Sequence, residues 1–388
     1  MIPPKALEKL KQRIARLGEW RYATAAEVPL EGLETLDHLR VPPGLKSDAT
    51  SRFKPAPVGS RWGQEWGSVW FRGEARIPSE YAGRRVYYRM DSFADKLLFV
   101  NGKPFAGMNI WHREVLLTAQ ATGRERFSLH IEQYSGHRMP NLRPLDPFEY
   151  FHQFTGADPG QPPPLELKAS ELVVEREAVS SLYYGADVLF RTALILDEHS
   201  LRRARILDDL NRALDLIPFH WESETELEDA AKAAARLIAP LLALQNGPTT
   251  PLVGLAGHTH IDVAWLWPIA ESIRKTARSF TSMLHLMEHY PEMRFLQSQP
   301  ALLDLIQNEY PDVIKRIQAE VKTGRWEPNG GMWVEADCNL TGGESLVRQF
   351  LEGRKKTREL FNYTSDTLWL PDVFGYSAAL PQILRKCG

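Results

Sequence analysis

Cysteine is nearly absent: Cys338 and Cys387 are the two the 388-residue sequence has, too few for a disulfide framework. A reducing compartment suits such a chain. Charge imbalance is missing too. The 47 Lys and Arg residues against 49 Asp and Glu leave a net charge of -2, which argues against a polyelectrolyte partner and hence nucleic acid. No apolar run reaches the roughly 18 residues a membrane helix needs. Met1-Ile2-Pro3-Pro4-Lys5 does not open the apolar segment of a secretory signal. The expectation is a cytoplasmic protein with no membrane contact and no internal repeat.

What is present divides the chain into parts. Leu7, Leu10, Ile14 and Leu17 predict an amphipathic helix, so residues 1–50 read as a helix followed by an extended segment. Residues 51–165 read as a β-sandwich accessory domain, with strands at Val69–Ile77, Val86–Met90, Lys96–Val100 and Phe127–Glu132. Asn101-Gly102 is a hairpin signal, because a type I′ turn needs two positive φ angles. Pro159-Gly160-Gln161-Pro162-Pro163-Pro164 reads as a linker. Residues 166–248 are expected to be helical, with segments at Leu201–Leu216 and Glu224–Leu244. From 249 to 388, strand and helix patterns alternate as a parallel α/β domain requires. The strands expected there are Leu252–Ala256, Arg294–Gln297, Gly331–Glu335 and one at Leu368. The helices are Glu271–His289, Pro300–Thr323 and Gly343–Leu360.

Chemistry gathers at the carboxyl ends of parallel strands. The apolar run ending at Ala256 leads into Gly257-His258-Thr259-His260-Ile261-Asp262, where His260 and Asp262 can converge on one cation. Leu368-Trp369-Leu370-Pro371-Asp372-Val373-Phe374-Gly375-Tyr376-Ser377 repeats the layout and brings Asp372. One nitrogen and two carboxylates suit zinc, or cobalt or manganese, better than calcium or magnesium. Glu335 and Asp337, at another expected strand end, fit support of the site or substrate contact about as well as loop capping. His285 and His289, four apart on a helix, fit a surface or packing role better than metal binding.

Three segments in order, His260-Ile261-Asp262-Val263-Ala264-Trp265-Leu266-Trp267-Pro268, Gly330-Gly331-Met332-Trp333-Val334-Glu335-Ala336-Asp337 and Leu370-Pro371-Asp372-Val373-Phe374-Gly375-Tyr376-Ser377, resemble α-mannosidases of glycoside hydrolase family 38, cytosolic type. The resemblance is strongest from about residue 250 onward. It extends to the earlier part in layout, through Trp62-Gly63-x-x-Trp66 and Trp70-Phe71-Arg72, and the sandwich is similar to jelly-roll modules attached to many glycosidases. It implies that residues 249–388 begin a seven-stranded α/β barrel, and that the substrate is a terminal α-linked mannose in an oligosaccharide. It also implies that His260, Asp262 and Asp372 hold one divalent ion, zinc first and cobalt second, with Asp372 attacking the sugar. Trp265 and Phe374 would offer platforms to the mannose ring. Homo-oligomers are common among such relatives. The family's second histidine ligand and acid/base carboxylate lie well downstream of the nucleophile, whereas the sequence runs sixteen residues past Asp372. The expectation is therefore a fragment or truncated product with weak metal binding and little activity by itself.

Two other readings stay open here. His258-Thr259-His260 is similar to the His-x-His pair of metal-dependent amidohydrolases, in which His258 would be a ligand. A non-catalytic binding or assembly role would use Trp62, Trp66, Trp70 and Trp111 as a carbohydrate-stacking patch, although tryptophans at this density are more often core.

Overall fold

The computed structural model describes residues 4–35, 52–63, 67–135, 165–265 and 267–388. The Pro159–Pro164 linker and Trp66 lie outside them. Helical spacing of apolar residues makes α1 (Pro4–Trp20), whose Leu10, Ile14 and Leu17 are buried. They pack with α2 (Glu177–Ile195), α3 (Leu201–Asp215) and α4 (Glu224–Leu242) around Leu182, Leu189, Leu210 and Ile238. Serine starts two of these helices: Ser200 Oγ accepts from Arg203 N at 3.5 Å and Ser223 Oγ from Glu226 N at 3.2 Å.

Among the described residues, twelve strands form the antiparallel part: β1 (Tyr22–Glu27), β2 (Leu30–Thr35), β3 (Lys54–Pro55), β4 (Arg61–Trp62), β5 (Ser68–Arg76), β6 (Val86–Asp91), β7 (Lys96–Val100), β8 (Lys103–Met108), β9 (Glu114–Thr118), β10 (Arg126–Tyr134), β11 (Leu165–Glu166) and β12 (Ala169–Glu175). One sheet runs β1-β12-β6-β9 and the other β3-β2-β5-β10-β7-β8, while β4 and β11 make a small ribbon. Phe71, Tyr88, Met90, Leu98, Leu129, Ile131 and Leu172 share one core. The Asn101-Gly102 turn between β7 and β8 has both φ angles positive, 51° and 78°. The sandwich takes strands from both sides of the expected 51–165 span. Residues 169–175, read as the start of the helical region, are a strand, because their backbone pairs with β1 on one edge and β6 on the other and the β-branched Val173 and Val174 are buried beside Leu172.

In the last part, β13 (Gly257–His258), β14 (Phe295–Leu296) and β15 (Trp326–Glu327) are parallel neighbours in that order. A parallel bridge joins Gly330 to Leu368. Between the strands run α5 (Ile269–His289), α6 (Pro300–Ile306), α7 (Pro311–Lys322) and α8 (Gly343–Phe361), followed by α9 (Leu380–Lys386). Four expectations need correction. The strand expected at Leu368 is reduced to that one bridged residue. The Leu252–Ala256 run is not a strand; Leu252, Val253 and Leu255 are 100, 74 and 91 % exposed, and pairing with β14 begins only at Gly257. Helix 300–323 is two helices, since Pro311 has no N–H to donate and opens a new first turn. Gly331–Glu335 is irregular rather than extended, the chain leaving strand geometry at Gly331, φ 83°.

β7 is buried along its whole length because both faces are covered. Leu98 and Val100 enter the sandwich core, while Leu97 and Phe99, with Trp70 of β5, pack with Ile273, Phe280, Leu284 and Trp326 of the α/β part. The sandwich thus shares a hydrophobic core with the domain that carries the strand-end motifs.

Candidate active site

His258 pairs in register with Leu296 at the end of β13, and the chain then crosses the strand ends as Thr259-His260-Ile261-Asp262. Ile261 is 2 % exposed and acts as the anchor, with its carbonyl accepting from Gln299 Nε2 at 2.8 Å. Alternation about a buried Ile261 sends its two neighbours, His260 and Asp262, away from the core. The second segment ends at Leu370, buried among Met332, Phe350 and Leu380, and delivers Asp372 two residues later.

These motifs meet at His260. Its Nε2 stands 3.4 Å from Asp262 Oδ1 and 3.5 Å from Asp372 Oδ2. Its Nδ1 contacts Glu335 Oε2, a carboxylate whose side chain is 2 % exposed, and Glu335 Oε1 takes the Ser298 hydroxyl. Burial lowers the pKa of His260, but Glu335, followed by Asp262 and Asp372, outweighs it, and the net direction is up. Burial raises Glu335, opposed by Ser298 and His260. Nε2 is buried and has no hydrogen-bond partner.

An imidazole held by a carboxylate on one nitrogen and left open on the other is the arrangement of metal-binding histidines, in which the carboxylate sets the tautomer and ring orientation. Donors about 2.1 Å from a tetrahedral ion stand about 3.4 Å apart, which matches the two measured separations. No third separation completes a cage: among the described residues, no group of three or more His, Cys, Asp or Glu side chains is arranged to hold a metal ion. Asp372 and Asp262 have side chains 58 and 37 % exposed, so both carboxylates can still turn.

The remaining candidates separate. Glu335 supports His260, whereas Asp337 caps a loop, its Oδ1 accepting from Asn339 N at 2.7 Å and Leu340 N at 2.9 Å. His258 Nε2 lies 3.2 Å from Ser298 Oγ and 3.6 Å from Glu335, so the His-x-His pair converges on a carboxylate and does not form an amidohydrolase ligand pair. Burial, then His260, lowers its pKa. Trp265 is 51 % exposed and set edge-on to Trp267 at 5.7 Å; Phe374 is 83 % exposed. The Phe374 turn is held by Asn339, whose Nδ2 donates to the Phe374 carbonyl at 3.3 Å. A side chain at Gly375, φ 140°, would meet that nitrogen at 2.6 Å. His285 is 8 % exposed and packs at a tilt against Phe105 and edge-on to His289, and burial pushes its pKa down to about 4. It belongs to the packing. Trp70 is core at 1 % exposure, Trp62 lies edge-on to Phe71, and Trp111 is 61 % exposed, so these three form no shared stacking patch.

Ser298 and Gln299 went unrecognised in the sequence. Gln299, 2 % exposed, donates to the Ile261 carbonyl and accepts from Glu335 N at 3.2 Å, clamping two motif segments together. The available signal was Gln297-Ser298-Gln299, three polar residues between a parallel strand and a proline-opened helix.

The sequence profile described as "Glycosyl hydrolases family 38 N-terminal domain" matches residues 251–388, and "Alpha-mannosidase, jelly roll domain" matches residues 28–155. Residues 251–388 thus carry the sequence pattern of a glycosyl hydrolase family 38 N-terminal domain. "Alpha-mannosidase 2C1" of Homo sapiens is 34% identical over 343 residues, 87% of this chain and 31% of the relative. "Alpha-mannosidase" of Saccharomyces cerevisiae is 40% identical over 354 residues, again 87% and 31%. "Alpha-mannosidase G" of Dictyostelium discoideum is 28% identical over 87% of this chain and 30% of its own length. The chain therefore spans about a third of these family 38 relatives. No described helix is long and apolar enough to cross a membrane.

Proposed function

We propose that this chain is the N-terminal part of a retaining α-mannosidase that removes terminal α-linked mannose from oligosaccharides, in the cytoplasm, with Asp372 as nucleophile. The observation that carries this reading is the unpartnered, buried His260 Nε2 facing Asp262 and Asp372, with Glu335 holding the other side of the ring. The names of the relatives support the substrate class, and the free thiols Cys338 and Cys387 suit a reducing compartment. In this reading the three parallel strands and the Gly330–Leu368 bridge are the first part of a seven-stranded barrel. An acid/base group and a further histidine ligand would come from elsewhere in the complete polypeptide.

His260, Asp262 and Asp372 would hold one divalent ion, zinc in preference to cobalt. Bound there, the ion would supply positive charge that keeps the carboxylates ionised and would take the 2- and 3-hydroxyls of mannose. The residues supply the rest. Glu335 fixes the His260 ring, and Ile261, through Gln299, fixes the main chain between the two ligands. Asp372, on the more exposed side, attacks the anomeric carbon through an oxocarbenium-like transition state as the glycosidic C–O bond breaks, the leaving oxygen taking its proton from the acid/base group elsewhere in the complete polypeptide. Water deprotonated by that group then cleaves the glycosyl–Asp372 ester and restores the carboxylate. Trp265 and Phe374 offer exposed aromatic faces on which sugar C–H groups can pack.

Two variants of the complete enzyme test this. Asp262→Asn should lower bound zinc to a small fraction of one per chain by elemental analysis; unchanged stoichiometry would remove Asp262 from the ligand set. Trp265→Ala should raise KM and lower kcat toward an aryl α-mannoside while metal content stays at the wild-type level. Loss of metal along with activity would make Trp265 a structural residue.

A further inference from the structure

The first three turns of α5 face two ways. Fully buried Ser272 accepts from Trp267 Nε1 at 2.9 Å and donates to the Asp262 carbonyl at 3.2 Å, tying the segment after His260 back onto the helix. Toward the sandwich, α5 presents Glu271, Arg274 and Arg278, which are 1, 1 and 4 % exposed. Glu271 Oε2 lies 2.8 Å from Arg274 Nη2, and its other oxygen contacts Arg278. By itself this stretch of the helix buries two cations and one anion.

The second anion comes from the other domain. Glu132 on β10, 2 % exposed, stands 3.5 Å from Arg274 Nη1 and 3.3 Å from Arg278 Nη1, and accepts from the Ser68 hydroxyl at 3.2 Å. The Arg274 guanidinium lies 4.9 Å from the centre of the Tyr134 ring. Buried charges are tolerated only when matched, and here two guanidiniums meet two carboxylates across a domain boundary. Planar guanidinium forks also demand orientation, so the match holds for one rotation and one height of α5 on the sheet.

We propose that Glu132 is a positioning residue for the candidate active site. It fixes the seat of α5 on the sandwich and, through Ser272, the main chain of Asp262. The jelly-roll domain is then part of the catalytic unit and not a separable appendage. Only the kinetic arm of the test rests on the mannosidase reading.

In the complete enzyme, Glu132→Gln keeps the shape and removes the charge, while Glu132→Asp keeps the charge. Well below the unfolding temperature, Glu132→Gln should speed amide exchange across residues 260–268 about tenfold while β6 and β12 exchange at wild-type rates. It should also lower kcat about tenfold with a smaller change in KM. Glu132→Asp should restore much of both. Wild-type protection of 260–268 in folded Glu132→Gln overturns the proposal, as does loss of protection spread evenly through the sandwich, which makes Glu132 structural. If Glu132→Gln does not fold, the charge-neutral pair Glu132→Leu with Arg274→Leu, which leaves Arg278 on Glu271, takes its place in the same exchange comparison: faster exchange confined to 260–268 supports the proposal, and wild-type or evenly lost protection overturns it. If the wild-type enzyme does not turn over α-mannosides, the mannosidase reading fails and the exchange contrast still decides the role of Glu132.

Discussion

Asp372→Ala should abolish hydrolysis of an aryl α-mannoside by the complete enzyme, with kcat falling on the order of 10⁴-fold or more. The loss follows from the bond that is no longer made. A retaining glycosidase passes through a covalent glycosyl-enzyme, and without the attacking carboxylate the first step has no nucleophile, so a better leaving group cannot rescue it. Folding should be nearly untouched. The side chain is 58 % exposed and contacts His260 at 3.5 Å, so its removal opens no cavity in the core. Circular dichroism and the unfolding midpoint should match wild type while steady-state turnover disappears. A folded Asp372→Ala protein that keeps a tenth of the wild-type rate would assign the attack to another carboxylate.

Glu335→Ala should act on the metal and on stability together. The Glu335 side chain is 2 % exposed and serves His260 Nδ1 and Ser298 Oγ at once. Removing it takes the acceptor from His260 Nδ1, which is partly exposed, and leaves the buried Ser298 hydroxyl with His258 Nε2 at 3.2 Å, a loss of about 1–3 kcal/mol in all. It also frees the His260 ring, and loss of such an orienting carboxylate weakens metal affinity about 10–100-fold. Glu335→Gln should fall between, since its amide can accept from the imidazole with one end but offers a donor where the Ser298 hydroxyl also donates. Calorimetric titration with cobalt, alongside denaturant unfolding, checks both effects. A Glu335→Ala protein with wild-type cobalt affinity would show that His260 needs no orientation from this side.

The parts of the fold that could be read from the sequence were those governed by local rules. Leu7, Leu10, Ile14 and Leu17 gave α1 its buried stripe, and Asn101-Gly102 placed the β7–β8 turn, because spacing and positive φ are properties of the residues themselves. Elements decided by a distant partner were harder. Leu252–Leu255 reads as a buried strand from composition, yet pairing starts only at Gly257; β14 and β15 are two residues each, too short to show a period. Glu271, Arg274 and Arg278 follow helical spacing and resemble a solvated charged stripe. Only the approach of Glu132 from β10 makes them interior.

The site divides in the same way. His260, Asp262 and Asp372 were singled out by their residue types and expected strand-end settings, and the structure places Asp262 and Asp372 at 3.4 and 3.5 Å from His260; their role as ligands is part of the proposed function. For Glu335 and Asp337 the sequence left support and capping equally open, and each of the two turned out to serve one of those roles. Ser298 and Gln299 carried no such signature. Their importance comes from bridging segments more than thirty residues away on either side, Gln299 joining Ile261 to Glu335 and Ser298 joining His258 to Glu335. Trp265 and Phe374 are exposed aromatics near the motifs, and the partner proposed for them is the sugar.

The most direct test of Asp372 as nucleophile is to trap the glycosyl-enzyme. Incubating the complete enzyme with a 2-deoxy-2-fluoro-mannosyl fluoride, which slows breakdown of the intermediate, and mapping the modified peptide by mass spectrometry should find one mannosyl-derived group per active chain, on Asp372. A label on a different carboxylate, or full turnover of α-mannosides with no covalent species accumulating on Asp372, would contradict it.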